Sequence, residues 1–205
     1  MNDIFLKLSQ KLNRFGLSED DVRDAIKSAC DFFSIPMPRL IQDMTNADNG
    51  QTMFVNWDKN SYHDDVLCFD MRQLICMNVD SKESFSLVMT HECAHRVFQA
   101  TNFPGVAGGI WESELVADFF MGVRAGLANM DESRIAAGLL ITGGCQTHPE
   151  GRLRVLFIRH GKYIAQVMKM NGASLTIKNF MNEFIKFRNQ NLAMIQRCQR
   201  RYFDF

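Results

Sequence analysis

Two histidines four residues apart, with a glutamate directly after the first, mark one segment for chemistry: His91-Glu92-Cys93-Ala94-His95. On a helix, positions i and i+4 share a face, their Cβ atoms about 6 Å apart. Two imidazoles so placed can converge on one zinc ion, whose Zn–N bonds are about 2.0–2.1 Å long. Glu92 is then placed to take a proton from water at the metal. The H-E-x-x-H pattern thus supplies two ligands and a base, and leaves a third protein ligand to be found. The bland alternative is two half-buried helix histidines and a surface carboxylate.

A second acidic pair follows. Glu114-Leu115-Val116-Ala117-Asp118 has the form E-x-x-A-D, and again sets two side chains four apart on one face. Glu114 can reach a metal as its third ligand. Asp118, one turn on, can accept a hydrogen bond from the free N–H of a ligand histidine and fix its tautomer. Glu112 is a rival ligand, nearer the helix start and without an aspartate one turn later. A solvated acidic face would give the same spacing. Against it, Val116, Ala117, Phe119 and Phe120 predict a largely buried helix, where an unpaired carboxylate is costly.

These residues need rigid elements to hold them. Ser81 is an N-cap for a helix over 81–100, with Phe85, Val88, Met89 and Phe98 on its packing face. Further helices are expected at 112–130, 132–140, 151–170 and 174–200, with a loop over 103–109. Upstream, Ile4, Phe5, Leu8, Leu12 and Phe15 predict an amphipathic helix over 2–15. Ser18 and Asp21 resemble a capping box for a second, which Pro36 and Pro38 end. Between 38 and 80 the period changes. Residues 52–57 and 66–77 are rich in β-branched, aromatic and apolar residues, and Leu40 to Met44 adds another candidate strand. The expectation is an α+β fold in one domain, 1–205: a helical part to 35, a three- to four-stranded sheet over 38–80, then catalytic and C-terminal helices.

Composition sets outer bounds. The chain has 205 residues, 46% of them apolar and 22% charged, which is an ordinary globular balance. Twenty-three lysines and arginines match twenty-three acids, which argues against a nucleic-acid binder using its whole surface. No run approaches the ~20 apolar residues of a membrane helix, and the first sixteen residues lack an apolar signal core. The six cysteines (30, 68, 76, 93, 145 and 198) never form C-x-x-C and read as reduced thiols. The expectation is a cytoplasmic protein, or one in a host-cell cytosol after specialised delivery, with no membrane partner.

H-E-x-x-H followed by E-x-x-A-D resembles the gluzincin zinc metallopeptidases. Thr147-His148-Pro149, with Arg154-Val155 following, is similar to the T-H-P-x-x-x-x-R-I element of their prenyl-protease-like branch. The likeness covers about residues 81 to 160. It implies a zincin-like fold of the small minigluzincin kind, its sheet packed on the active-site helix, with one zinc on His91, His95 and Glu114. It also implies His148 beside the metal, as a regulatory ligand or an oxyanion stabiliser, and Arg154 near the acidic cluster. Two departures stand out: no transmembrane helices surround the site, and the interval from His95 to Glu114 is short. The short interval is more like compact soluble gluzincins, including proteases that cleave phage repressors.

The activity so implied is endopeptidase hydrolysis of a specific intracellular protein. Glu92 activates the water, with Asp118 behind a histidine. His148, Arg154, Arg152, Tyr62 and Tyr163 are the oxyanion donors, in falling order. The substrate would add a strand along a sheet edge near Val66 to Met71. The alternative is a non-catalytic gluzincin scaffold that binds a peptide or regulator. A third reading is a nucleic-acid-associated regulator using Arg197, Arg200 and Arg201. Cys93 reads as core, and His63 and His160 as loop or surface residues.

Overall fold

The computed structural model describes residues 18–38, 40–43, 54–56, 66–69, 74, 78–100 and 109–203. The helix expected over 2–15, Tyr62, His63 and nearly all of the 103–109 loop lie outside them. Seven long helices run through the described residues: α1 (Glu19–Phe33), α2 (Lys82–Ala100), α3 (Ile110–Ala128), α4 (Ser133–Leu140), α5 (Gly151–Met170), α6 (Ile177–Gln190) and α7 (Leu192–Gln199). Three short segments, β1 (Leu40–Asp43), β2 (Phe54–Asn56) and β3 (Val66–Phe69), pair in the order β1-β3-β2. β3 is parallel to β1 and antiparallel to β2.

The α+β expectation is corrected by this arrangement. Outside those short segments the described residues contain no strand, and helix makes up 74% of them. The fold is helical, and among the described residues α2 packs chiefly against α1 and α3. The richness of 52–57 and 66–77 in β-branched, aromatic and apolar residues suggests a layer. Segments of three and four residues are too short to cover a helix about 28 Å long. The docking edge expected near Val66 to Met71 is corrected as well. β3 has a partner on both sides and offers no free edge.

Local chemistry sets the helix ends. The Ser18 hydroxyl accepts from the Asp21 N–H, and the Asp21 carboxylate accepts from the Ser18 N–H, which completes the capping box of α1. Ser34 closes that helix in the left-handed region, just before Pro36. Ser81 caps α2 through the Ser84 N–H. The helix expected over 174–200 is two helices. At Asn191 the side-chain amide donates to the Phe187 carbonyl at 2.8 Å, taking a helix-end acceptor, and the chain restarts as α7.

α3 is the central helix. Fourteen of its nineteen residues are buried, so it is apolar nearly all round and packs against both α2 and α5. Trp111, Leu115, Phe119, Phe120 and Val123 sit in the core with Phe85 from α2, Phe157 from α5 and Phe180 and Phe184 from α6. Each such aromatic, fully buried, contributes about 1.5–3 kcal/mol. Glycines bring α3 and α5 together. A Cβ at Gly122 would collide with the Ile158 carbonyl, and one at Gly161 with the Phe119 carbonyl. The four charged side chains of α3 must be carried inside this apolar setting, and they are met one by one by partners on other helices.

Candidate metal centre

α2 and α3 lie against each other with the H-E-x-x-H face of one toward the E-x-x-A-D face of the other. The His91 and His95 Nε2 atoms are 3.0 Å apart. Glu114 Oε2 is 3.5 Å from His91 Nε2, and its Oε1 is 3.2 Å from His95 Nε2. His91 and Glu114 are buried and His95 is nearly so. These three side chains could hold a metal ion; among the described residues, no other trio of histidine, cysteine, aspartate or glutamate comes together in this way.

Each outer ring nitrogen has a polar side chain beside it. His91 Nδ1 faces Asp118 Oδ1 at 3.0 Å, and His95 Nδ1 lies 2.9 Å from the Ser113 hydroxyl. With the protons on Nδ1, both Nε2 atoms present lone pairs toward each other and toward a carboxylate. Three acceptors then converge with no donor between them, and Glu114 Oε2 is buried without a hydrogen bond. A metal ion placed between them would satisfy all three at once. The donor set of two imidazoles and a carboxylate suits a divalent transition ion.

Charge makes the same point. Glu92, Glu114 and Asp118 contribute three negative charges, and Arg154 returns one positive. Without an ion the site draws in a proton. Burial opposes charging of His91, but Asp118 and Glu114 outweigh it and push the imidazole up to about 10. Burial also opposes ionisation of Glu114, yet the two histidines hold its carboxyl well below the usual range. Glu92 goes the other way. It is drawn up by burial, against the pull of His91 and His95.

Arg154 comes from α5. Its Nε and Nη2 donate to Asp118 Oδ2 and Oδ1 at 2.8 and 2.9 Å, and Nη2 is 3.5 Å from Glu114 Oε2. It was expected among the oxyanion donors, but its guanidinium is buried against both carboxylates. Its position is that of a group acting through Asp118. Glu112, the rival ligand, is bound by Arg188 of α6 and so is engaged elsewhere.

His148 stands at the rim. Its Nε2 is 3.8 Å from Glu114 Oε1, its Nδ1 is 2.9 Å from the Thr147 hydroxyl, and half its side chain is exposed. The loop that carries it is clamped from two sides. Trp111 Nε1, at the start of α3, donates to the Cys145 carbonyl at 3.0 Å. The Tyr202 hydroxyl accepts from the Gly144 N–H at 3.2 Å and reaches Glu150 Oε1 at 3.4 Å, while its ring packs on Trp111.

The remaining expected residues are placed elsewhere. Tyr163 is exposed on α5 beside His160, and Arg152 is exposed on the first turn of that helix. His160 is half-buried and stacks on Phe187 at 3.6 Å, so it is a packing residue and not a loop residue. Cys93 is in the core, its sulfur 3.8 Å from that of Cys30. The thiol is pushed up by that contact and by burial, which makes it a poor nucleophile. Sequence reasoning missed Ser113 and Tyr202. Ser113 had a faint signal in standing next to Glu114 with a short donor–acceptor side chain; Tyr202 had none.

Among the described residues, no helix is long and apolar enough to cross a membrane. Comparison with protein-family models, with curated proteins and with solved structures found no match to this chain.

Proposed function

We propose that this chain is a zinc-dependent endopeptidase acting on a specific protein. The observation that carries the reading is the convergence of three side chains that could hold a metal ion, His91, His95 and Glu114, their ligand atoms within 4.8 Å of one another, with a glutamate adjoining the first histidine. When bound, zinc polarises a carbonyl as a Lewis acid and brings the pKa of a coordinated water toward about 7.

The chain's own residues supply the rest. Asp118 and Ser113 hold the two imidazoles with Nε2 inward. Glu92 takes the proton of the attacking water and hands it to the departing amine. His148, at the exposed rim, is the donor for the negative charge that develops on the carbonyl oxygen. Arg154 keeps Asp118 ionised and oriented.

Glu92→Gln is the test. It is isosteric and leaves the three ligand side chains in place. Zinc should be retained at one ion per chain while cleavage of a peptide library is lost. If the substitution leaves cleavage intact, the mechanism is wrong. A wild type that captures the same peptides as the variant, with no products, is instead a binding scaffold.

A further inference from the structure

The balanced total charge hides a segregation along the chain. Residues 151–203 carry eleven lysines and arginines against one acid, Glu183, whereas residues 1–150 carry twelve against twenty-one. Five of those eleven cations are committed to carboxylates: Arg154 to Asp118, Lys162 to Glu132, Lys186 to Glu183, Arg188 to Glu112 and Arg201 to Glu150. The other six, Arg152, Arg159, Lys169, Lys178, Arg197 and Arg200, are exposed and make no ion pair among the described residues.

Three of them, Arg152, Arg197 and Arg200, are tied to the surroundings of Glu150. Arg152 is two residues past Glu150, on the first turn of α5. Arg201 reaches Glu150 at 2.8 Å from beyond the end of α7, with Arg200 beside it and Arg197 one turn back. Glu150 closes the loop that carries His148, and His148 is 3.8 Å from Glu114. The positive group therefore adjoins the rim of the metal centre, and the one carboxylate within it is already engaged.

We infer that this basic surface docks an acidic segment of the protein that the metal centre acts on. The inference rests on the endopeptidase reading for the word substrate, but not for the binding itself. A short acidic stretch fits better than a nucleic acid. A long phosphate backbone would also run across the acid-rich remainder of the chain, whereas charges beyond roughly 8–10 Å are screened from a short peptide at physiological salt. The same field would speed encounter with an acidic partner.

The experiment is fluorescence anisotropy on the full, zinc-loaded chain carrying Glu92→Gln, so that binding is read without turnover. The probes are a labelled polyglutamate peptide, a polylysine peptide and a single-stranded DNA oligonucleotide of charge equal to the polyglutamate. Polyglutamate should bind, and its affinity should fall as salt is raised. In Arg152→Glu/Arg197→Glu/Arg200→Glu, whose exposed side chains leave the fold and zinc content intact, affinity should drop by about tenfold or more. Equal affinity for polyglutamate and polylysine overturns the inference, as does an affinity that the triple variant leaves unmoved. Tighter binding of the oligonucleotide than of polyglutamate also overturns it, in favour of a nucleic-acid surface. Loss of cleavage in the wild type is a separate result and leaves this test standing.

Discussion

Arg154 and Asp118 meet two-on-two: the guanidinium places Nε and Nη2 on the two carboxylate oxygens at 2.8 and 2.9 Å, inside the protein. The same carboxylate faces His91. A chain of charge therefore runs from α5 through α3 to an imidazole of the candidate metal centre on α2. Arg154→Leu leaves Asp118 buried without its counter-charge, and the expected loss is about 3–5 kcal/mol in urea unfolding. Arg154→Lys keeps the charge but not the fork, and should fall between the two. Equal stability of wild type and Arg154→Leu would show that the pair does not hold the fold.

Metal affinity should follow the two shells of contact separately. His95→Ala or Glu114→Ala should abolish stoichiometric zinc in metal analysis after dialysis. Ser113→Ala removes only the acceptor for His95 Nδ1 and should weaken zinc binding by roughly 10- to 100-fold. Chelation of a zinc-loaded sample should lower its melting temperature, since an ion held by the folded site stabilises the fold by mass action.

Glu92→Gln separates binding from chemistry. General-base loss of this kind costs about 10²- to 10⁴-fold in rate. The measurement is cleavage of a peptide library by mass spectrometry, with zinc content read on the same sample. A variant that loses zinc as well would reassign Glu92 to holding the site together.

Acid should unfold the metal-free protein through its buried carboxylates. Burial alone would raise Asp118, but Arg154 and then His91 bring it below its ordinary 3.8, and the two histidines bring Glu114 well below 4.5. A carboxylate depressed on folding contributes stability that is present above its unfolded pKa and lost as pH falls through its folded one. His91, raised on folding, adds stability that is fully present only below the unfolded value of 6.5, so the thermal midpoint should rise modestly from about pH 7 to 5 and decline below about 4 as the carboxylates protonate. A midpoint already falling between pH 7 and 5 would contradict these shifts.

Gly161→Ala tests how closely α3 and α5 must approach. The added methyl meets the Phe119 carbonyl, a backbone atom that cannot step aside. Overpacking of this kind costs about 1–3 kcal/mol in unfolding. Because α3 carries Glu114 and Asp118 while α5 carries Arg154, zinc affinity should drop with it. Unchanged stability would mean the helices can part without penalty.

The metal-facing residues were legible because a helix imposes its own arithmetic. His91 with His95, and Glu114 with Asp118, needed only a spacing of four to be placed on one face each. The helix ends at Ser18 and Ser81 were legible for a similar reason, since a capping hydroxyl acts on a backbone N–H three residues away. The sheet was misjudged because β-branched composition reports local preference and says nothing of how long a paired segment grows. Arg154 was placed near the acids only by resemblance. Its two-pronged grip on Asp118 depends on how α5 crosses α3, which two glycines decide. Ser113 and Tyr202 depend on contacts 18 and 58 residues away in sequence, and no local pattern encodes those.

That last separation has a consequence for how the protein is made. A ribosome delivers His91, His95, Glu114 and Asp118 well before Tyr202, and chains fold from the N-terminal side as they emerge. The side chains that could hold an ion are thus synthesised before the residue that clamps their rim, and the bond from Gly144 to Tyr202 can form only once the last residues are made. The rim of the candidate site is therefore the last part of it that synthesis allows to be fastened.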